Sequence, residues 1–139
     1  MKYVVDANVG LKMVLPEADS AKAIELQERF RRGECRLLAP DFFPVEIGHA
    51  LTRAERKRII PIGQSAALFD SIVDPCPELH PSMPLVSRAI EMSSQSRASV
   101  FDCLYLLLAE AEDCAFVTSD RKIVSAFPDE SRIVELTRL

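Results

Sequence analysis

Short apolar segments of strand character alternate along this chain with longer segments of helical character, and this alternation constrains the fold more than any other feature. Tyr3-Val4-Val5 before Asp6 is typical of a short buried strand, and Asp19 or Ser20 can cap the first long helix. The predicted strands are 2–6, 36–39, 78–80, 114–118 and 133–136, and the predicted helices are 20–32, 42–58, 61–73, 85–96 and 99–111. Such alternation predicts an α/β protein with a parallel sheet covered by helices on both faces.

Length and composition are those of one globular domain. The chain has 139 residues, so we expect a single domain over residues 1–139, and 48% of them are hydrophobic while 27% are charged. The longest uninterrupted apolar run, from Cys103 to Ala109, is far too short to span a membrane. The segment before Asp6 lacks the apolar length of a secretory signal, so the expected location is the cytoplasm, with no membrane partner.

The charge balance and the cysteines exclude little by themselves. The net charge of −4 argues only weakly against a nucleic acid partner, because basic residues cluster at 29–36 and again at 53–58. The four cysteines lie far apart, with no CxxC spacing, and there are only two histidines. This pattern disfavours a structural zinc site and indicates reduced thiols in the core.

Two aspartates follow predicted strands directly. Asp6 comes after Tyr3-Val4-Val5, and Asp120 comes one residue after Phe116-Val117-Thr118. In an open parallel sheet, ligands bind beyond the carboxyl ends of the strands. We therefore expect Asp6 and Asp120 to share one site, although 114 residues separate them.

Asp102 is the acid whose position is hardest to explain by solvation. It lies in the run Val100 to Ala109, which is apolar on nearly every other face and therefore predicts a buried helix. A carboxylate in such a helix is costly unless it is paired, hydrogen-bonded or metal-bound. The alternative is that Asp102 simply stabilises the free amides at the start of the helix.

Glu46 borders the apolar stripe of the predicted helix 42–58. On a helical wheel, Arg53 and Lys57 fall on nearly the same row as Glu46. The row could be a solvated flank of the helix. If Glu46 instead joins the acids at the sheet edge, Arg53 and Lys57 become candidates for contact with the phosphates of a nucleic acid.

Carboxylates that converge without cations cannot all stay ionised unless a positive charge joins them. Hard divalent ions with oxygen ligands, such as Mg²⁺ or Mn²⁺, suit a site of this composition, and they support displacement at phosphorus. Other chemistries lack their motifs: there is no GxSxG, no GxxxxGK[ST] and no GxGxxG. The acids thus favour phosphodiester hydrolysis.

Taken together, these segments resemble the PIN-domain nucleases, above all the VapC-like toxins of toxin–antitoxin modules. The resemblance is carried by Val4-Val5-Asp6-Ala7-Asn8, by Glu46 in a mid-chain helix, by the run from Phe101 to Glu110 after Ser99, and by Val117-Thr118-Ser119-Asp120. It covers the whole chain. It implies a three-layer α/β/α sandwich with a central parallel sheet and a Mg²⁺- or Mn²⁺-dependent ribonuclease site.

The resemblance also implies roles for single residues and partners. Asp6, Asp102 and Asp120 would bind the metal, and Glu46 would belong to the same metal site, where it would position or deprotonate water from the outer shell. Asn8 and Thr118 could hydrogen-bond those carboxylates, or simply be the polar residues of a turn and a strand end. Family members commonly form homodimers and bind a cognate antitoxin protein, so both are expected here together with an RNA substrate.

Three alternatives stay open on the sequence. A degenerate PIN scaffold would bind RNA or a partner protein without cleavage. A haloacid-dehalogenase-type phosphohydrolase is disfavoured, because it needs an acid where Asn8 stands, and a receiver module is disfavoured because Lys122 is poorly placed.

Helix 61–73 carries a broad apolar arc that either faces the core or contributes, with helix 20–32, to a dimer interface. The arc is formed by Ile62, Ala66, Leu68, Phe69, Ile72 and Val73.

Overall fold

Five parallel strands form the centre of the computed structural model, which describes residues 1–139. They are β1 (Lys2–Val5), β2 (Arg36–Pro40), β3 (Glu78–His80), β4 (Ala115–Thr118) and β5 (Ile133–Glu135). Their order in the sheet is β3-β2-β1-β4-β5, and all neighbours are parallel. The sequence prediction of five strands in a parallel sheet is confirmed.

Seven helices connect and cover these strands. They are α1 (Ala7–Lys12), α2 (Ser20–Arg31), α3 (Phe43–Arg56), α4 (Ser65–Val73), α5 (Val86–Gln95), α6 (Val100–Ala111) and α7 (Arg121–Ala126). The five longer helices were predicted from the sequence, whereas α1 and α7, of six residues each, were not. None of the seven combines the length and the apolar character that crossing a membrane requires.

Helices cover both faces of the sheet, which makes the domain a three-layer α/β/α sandwich. Consecutive residues are buried in the three inner strands, such as Val4 and Val5 in β1 and Phe116 and Val117 in β4. Because successive side chains of a strand point to opposite faces, both faces must be covered. Helix α6 packs on β1, β2 and β4, α5 packs on α6, and α1 packs against both α2 and α3.

Helix α6 is the buried helix that its sequence predicts. Every residue from Cys103 to Ala109 is buried, while Phe101 at its first turn is 53% exposed. The buried run fixes the axis of the helix against the sheet. Its first turn therefore holds Asp102 at the sheet edge.

Helix α1 approaches α3 closely because Gly10 has no side chain. A Cβ on Gly10 would lie 2.9 Å from Ile47 Cδ1 and 3.1 Å from Phe43 Cζ, both in α3. Real Cβ atoms do not approach so closely in packed interiors. This contact brings the start of α1 and the start of α3 to the same edge of the sheet.

Helix α4 is shorter than predicted, and its apolar arc is largely used by the core. The helix begins at Ser65 rather than at position 61, because Gly63 takes a left-handed conformation with φ +86° and forms a turn. Ile72 is buried and Phe69 packs partly against the core, whereas Ile62 lies before the helix and is 81% exposed. The continuous stripe that begins at Ile62 is therefore wrong.

Candidate functional site

The predicted site residues lie at the carboxyl edge of the sheet. β1 and β4 are neighbours at the centre of the sheet, and Val5 pairs with Val117. Asp6 follows β1, and Asp120 follows β4 by one residue. The parallel arrangement thus accounts for how two acids far apart in the sequence come to one edge.

Asp6 is buried, and two hydrogen-bond donors hold its carboxylate. It is the N-cap of α1, and its Oδ1 accepts a hydrogen bond from the Val9 amide at 3.0 Å. Its Oδ2 accepts a hydrogen bond from the Thr118 hydroxyl at the end of β4. Only 4% of Asp6 is exposed. Two fixed donors and burial leave this carboxylate little freedom to rotate.

Asp120 caps the second short helix in the same way. Its Oδ1 accepts from the Lys122 amide at 2.9 Å, and its own amide donates to the Thr118 hydroxyl at 3.1 Å. Thr118 therefore links Asp6 to Asp120. Of the two polar neighbours expected for the carboxylates, Thr118 forms the bond, whereas the exposed Asn8 side chain forms no hydrogen bond within the protein.

Asp102 lies in the first turn of α6, near enough to Asp6 and Asp120 to interact with their charges. Its amide donates to Ser99 Oγ at 3.1 Å, and the Ser99 amide donates to Asp102 Oδ2 at 3.4 Å, which is a capping box. The helix-start role considered from the sequence is therefore present. It occupies one carboxylate oxygen and leaves the other without a hydrogen bond inside the protein.

Glu46 lies at the first turn of α3 and is fixed by a tyrosine. Its Oε1 accepts a hydrogen bond from the Tyr105 hydroxyl of α6 at 2.7 Å. Phe42 packs edge-on against both Tyr105 and Phe101. The aromatic contacts bring the start of α3 beside α6 at this edge, so Glu46 is partly buried next to Tyr105 and does not lie on a solvated flank.

The four carboxylates influence one another electrostatically. The pKa of Asp6 is raised from 3.8 to about 7, mainly by burial and to a smaller extent by Asp102 and Asp120, against the lowering effect of its hydrogen bonds with Thr118 and Val9. Burial is also the main cause that raises the pKa of Asp102 and of Glu46, with smaller contributions from Asp120 and Asp102 respectively. The site is a region where negative charge accumulates and is poorly solvated.

No cation of the protein compensates this charge. The molecule contains ten ion pairs within 4.0 Å, and none includes Asp6, Glu46, Asp102 or Asp120. At the same time, no three Asp, Glu, His or Cys side chains are arranged closely enough to enclose a metal ion. The acids therefore lie close enough together to affect the pKa of Asp6, but they do not form a closed set of metal ligands.

The two basic residues predicted on the row of Glu46 differ in position. Arg53 lines a cavity of about 480 Å³ together with Glu46, Asn8 and Phe101. Lys57 lies past the end of α3, at its C-cap, and does not line this cavity. Only Arg53 borders the acidic site in the way its wheel position predicts.

Sequence reasoning missed Tyr105 and the short helices capped by Asp6 and Asp120. A tyrosine inside an apolar helix, three residues after an acid, could have indicated a buried hydroxyl that needs a partner. The short helices gave no periodic signal, since six residues span less than two turns. Their caps are the only local sign of them.

The fold and the site together define a class of protein: a parallel α/β sandwich with uncompensated acids at the carboxyl ends of its two central strands. The PIN domain family model matches residues 3–127. Ribonuclease VapC1 of Mycobacterium tuberculosis is 34% identical over 100 residues, which cover 69% of this chain and 73% of that protein. The chain belongs to the PIN domain family.

Solved structures agree on the fold at low sequence identity. PAE2754 of Pyrobaculum aerophilum superposes with a TM-score of 0.73 at 17% identity, covering 99% of this chain and 85% of that one. The Rickettsia felis VapBC2 structure, bound to a promoter DNA fragment, gives 0.64 at 13% identity, covering 97% of each chain. A Klebsiella pneumoniae toxin–antitoxin complex gives 0.62 at 11% identity, covering 99% of each chain.

Proposed function

We propose that this chain is an endoribonuclease of the VapC type, which hydrolyses phosphodiester bonds of RNA with the help of Mg²⁺ or Mn²⁺. The observation that carries the proposal is the group of four acids at one edge of the sheet that no cation of the protein neutralises. The 34% identity to Ribonuclease VapC1 supports RNA as the substrate.

The donor chemistry of the site suits a hard divalent cation that keeps part of its water shell, since no three acidic side chains enclose it. Carboxylate oxygens are its preferred ligands, and Asp6, Asp102 and Asp120 offer them. The raised pKa of Asp6 is what is expected for a carboxyl group that lacks a counter-charge. When bound, such an ion supplies a water of lowered pKa and stabilises the charge that develops at phosphorus.

The residues of the chain then have separate tasks. Thr118 and the Val9 amide fix the orientation of Asp6, and Ser99 fixes Asp102, so each can hold the cation with one oxygen. Tyr105 occupies Glu46 Oε1, which leaves Glu46 Oε2 free to accept a proton from the attacking water.

An antitoxin protein as partner is part of the proposal. The similar structures from Rickettsia felis and Klebsiella pneumoniae are those of VapBC2 and of a toxin–antitoxin complex. Beside the acids, Val45 is 73% exposed and Phe101 is 53% exposed, so an apolar segment of an antitoxin could cover the site. Action on RNA would place the protein in the cytoplasm.

A homodimer is also proposed, with exposed apolar residues of the α2 and α4 side at the interface. Ile24 is 46% exposed and Ile62 is 81% exposed. Equilibrium sedimentation of the wild type and of Ile62→Glu tests this, because Ile62 packs against little and its substitution leaves the core intact. A monomer at all concentrations would remove the dimer.

The decisive experiment compares two aspartates at opposite ends of β4. RNA cleavage is measured with Mg²⁺, with Mn²⁺ and with EDTA, for the wild type, for Asp120→Asn and for Asp113→Asn. We expect metal-dependent cleavage that Asp120→Asn loses and Asp113→Asn keeps. Wild-type protein that binds RNA but never cleaves it would instead indicate the degenerate scaffold, and cleavage of small phosphate esters would indicate a phosphohydrolase.

A further inference from the structure

The lysines and arginines of this protein fall into two groups. Eight of the seventeen form ion pairs with acidic residues of the chain. The others have no acidic partner within 4.0 Å. Three of these unpaired cations, Arg97, Arg121 and Lys122, line one cavity of about 540 Å³.

This basic cavity shares lining residues with a cavity that borders the acidic site. A neighbouring cavity of about 340 Å³ is lined by Asn8, Asp120, Arg121 and Lys122 among others, so it shares two residues with the basic cavity. Asn8 in turn also lines the cavity of about 480 Å³ that contains Glu46 and Arg53. Each of these three cavities shares lining residues with the next, and we call the three together the trough.

The order of charges along the trough is positive, negative, positive. Arg53 and Glu46 line the first cavity, Asp120 lines the middle one together with the mutually paired Lys12 and Glu17, and the basic cavity is the third. Acids repel phosphates, so a polyanion needs cations on both sides of the acids to stay across them. The arrangement fits a linear chain of phosphates with one bond held over the carboxylates.

We infer that a single-stranded RNA lies along the trough, with Arg97, Arg121 and Lys122 binding the phosphates on one side of the bond to be cut. The inference rests on the proposed function, and it names the residues that hold the substrate. Phe101 at the Arg53 end is 53% exposed, and its free face suits a base. Only an unpaired nucleotide offers such a base for stacking.

The test measures RNA binding without cleavage. Fluorescence anisotropy of a labelled single-stranded RNA of mixed sequence is recorded in EDTA over a series of KCl concentrations. The triple variant Arg97→Ala/Arg121→Ala/Lys122→Ala is compared with the control Arg56→Ala/Arg58→Ala/Arg138→Ala, which removes the same charge from exposed cations outside the trough. Circular dichroism confirms that both variants are folded.

We expect the trough variant to lower the slope of log affinity against log salt by about 2, since each phosphate contact contributes roughly 0.7 on single strands. The control should leave the slope near that of the wild type. A trough variant with an unchanged slope, or a control with the same loss, overturns the inference. So does a wild type that prefers a duplex of the same sequence.

Failure of the trough and failure of the nuclease are separable. If the wild type cleaves RNA with metal and the trough variant has the same KM, the ribonuclease stands and the trough is wrong. If the salt slopes differ as expected but no metal supports cleavage, the trough stands as an RNA-binding surface and the proposed activity is wrong.

Discussion

The two ends of the sheet differ in whether their charged side chains form ion pairs. At the amino ends of the strands, charges are paired: Lys2 with Glu112 at 3.4 Å, Arg36 with Glu78 at 2.7 Å and Arg132 with Asp113 at 2.9 Å. At the carboxyl ends, four acids stand without any cation partner.

This difference in ion pairing indicates which end of the sheet binds a ligand. Exposed ion pairs satisfy each other and contribute little to stability. Partly buried acids that are left uncompensated lower stability, and such groups persist where an outside partner is to be bound. The unpaired carboxyl edge, rather than the paired amino edge, is therefore where the chemistry belongs.

The largest expected effect is the loss of cleavage in Asp102→Asn. This variant separates the role of Asp102 at the start of α6 from its proposed role in cleavage. Asp102→Asn keeps an oxygen that can accept the Ser99 amide, yet removes the charge, so RNA cleavage should fall on the order of a hundredfold or more. Without metal its stability should equal or exceed that of the wild type, because one repelling charge is gone. Cleavage assays and urea unfolding check both points.

Ser99→Ala is the matched control for that variant. It removes the hydroxyl that caps α6, which should cost about 1 kcal/mol of stability, while the carboxylate stays and cleavage is largely kept. If Asp102→Asn lost activity only in proportion to its unfolding, as Ser99→Ala would, Asp102 would be a helix cap and no more.

The next effect is a pH dependence of stability caused by Asp6. Its pKa is about 7 in the fold and near 3.8 when the chain is unfolded, so the native state binds the extra proton between these values. The free energy of unfolding should therefore fall as pH rises from about 4 to 7, by about 4 kcal/mol from this group. Urea titrations of wild type and Asp6→Asn in EDTA measure it.

The comparison with Asp6→Asn isolates that group from other acids. The variant should lose most of this fall, so that it is more stable than the wild type at pH 8 and similar at pH 4. Mg²⁺ should stabilise the wild type more at pH 8 than at pH 5, because only the charged carboxylate binds it. Parallel stability curves for the two proteins would show that Asp6 ionises freely in the fold.

A smaller effect compares the two tyrosines, one at each end of the sheet. Tyr105→Phe removes the donor to Glu46 and should lower cleavage roughly tenfold, the lower range for partners that orient a functional carboxylate. Tyr3→Phe removes a hydroxyl that lies by Met1 Sδ, and should leave cleavage unchanged. Equal losses in both variants would mean that Tyr105 acts only through packing.

Much of this site could be predicted because strand ends and helix periods are local signals. The five strands, the five longer helices and the meeting of Asp6 with Asp120 follow from apolar runs and from the rule for parallel sheets. The capping function of Asp102 was visible as an alternative. The sequence did not indicate that the same acids serve both purposes: Asp6, Asp102 and Asp120 each cap a helix and also belong to the candidate site.

The rest depended on distances that a sequence does not contain. The bond from Tyr105 to Glu46 joins residues 59 positions apart and needs α3 packed on α6. The start of α4 depended on the turn at Gly63, whose φ of +86° no periodicity indicates. The basic cavity formed by Arg97, Arg121 and Lys122 gathers two separate segments, neither of which is strongly basic alone.

The smallest effect is expected for a substitution at the amino ends of the strands, where the charged side chains form ion pairs. Glu112→Gln removes an ion pair with Lys2 whose side chains are 28% and 33% exposed, so the loss of stability should stay below about 1 kcal/mol and shrink further at high salt. Lys2 keeps its 2.7 Å hydrogen bond to the Glu112 carbonyl, which limits the loss. Cleavage should equal that of the wild type. Thermal unfolding at low and high KCl, with a cleavage assay beside it, makes the measurement. A clear loss of cleavage in Glu112→Gln would show that the amino end shares in the chemistry, and the contrast between the two ends would fail.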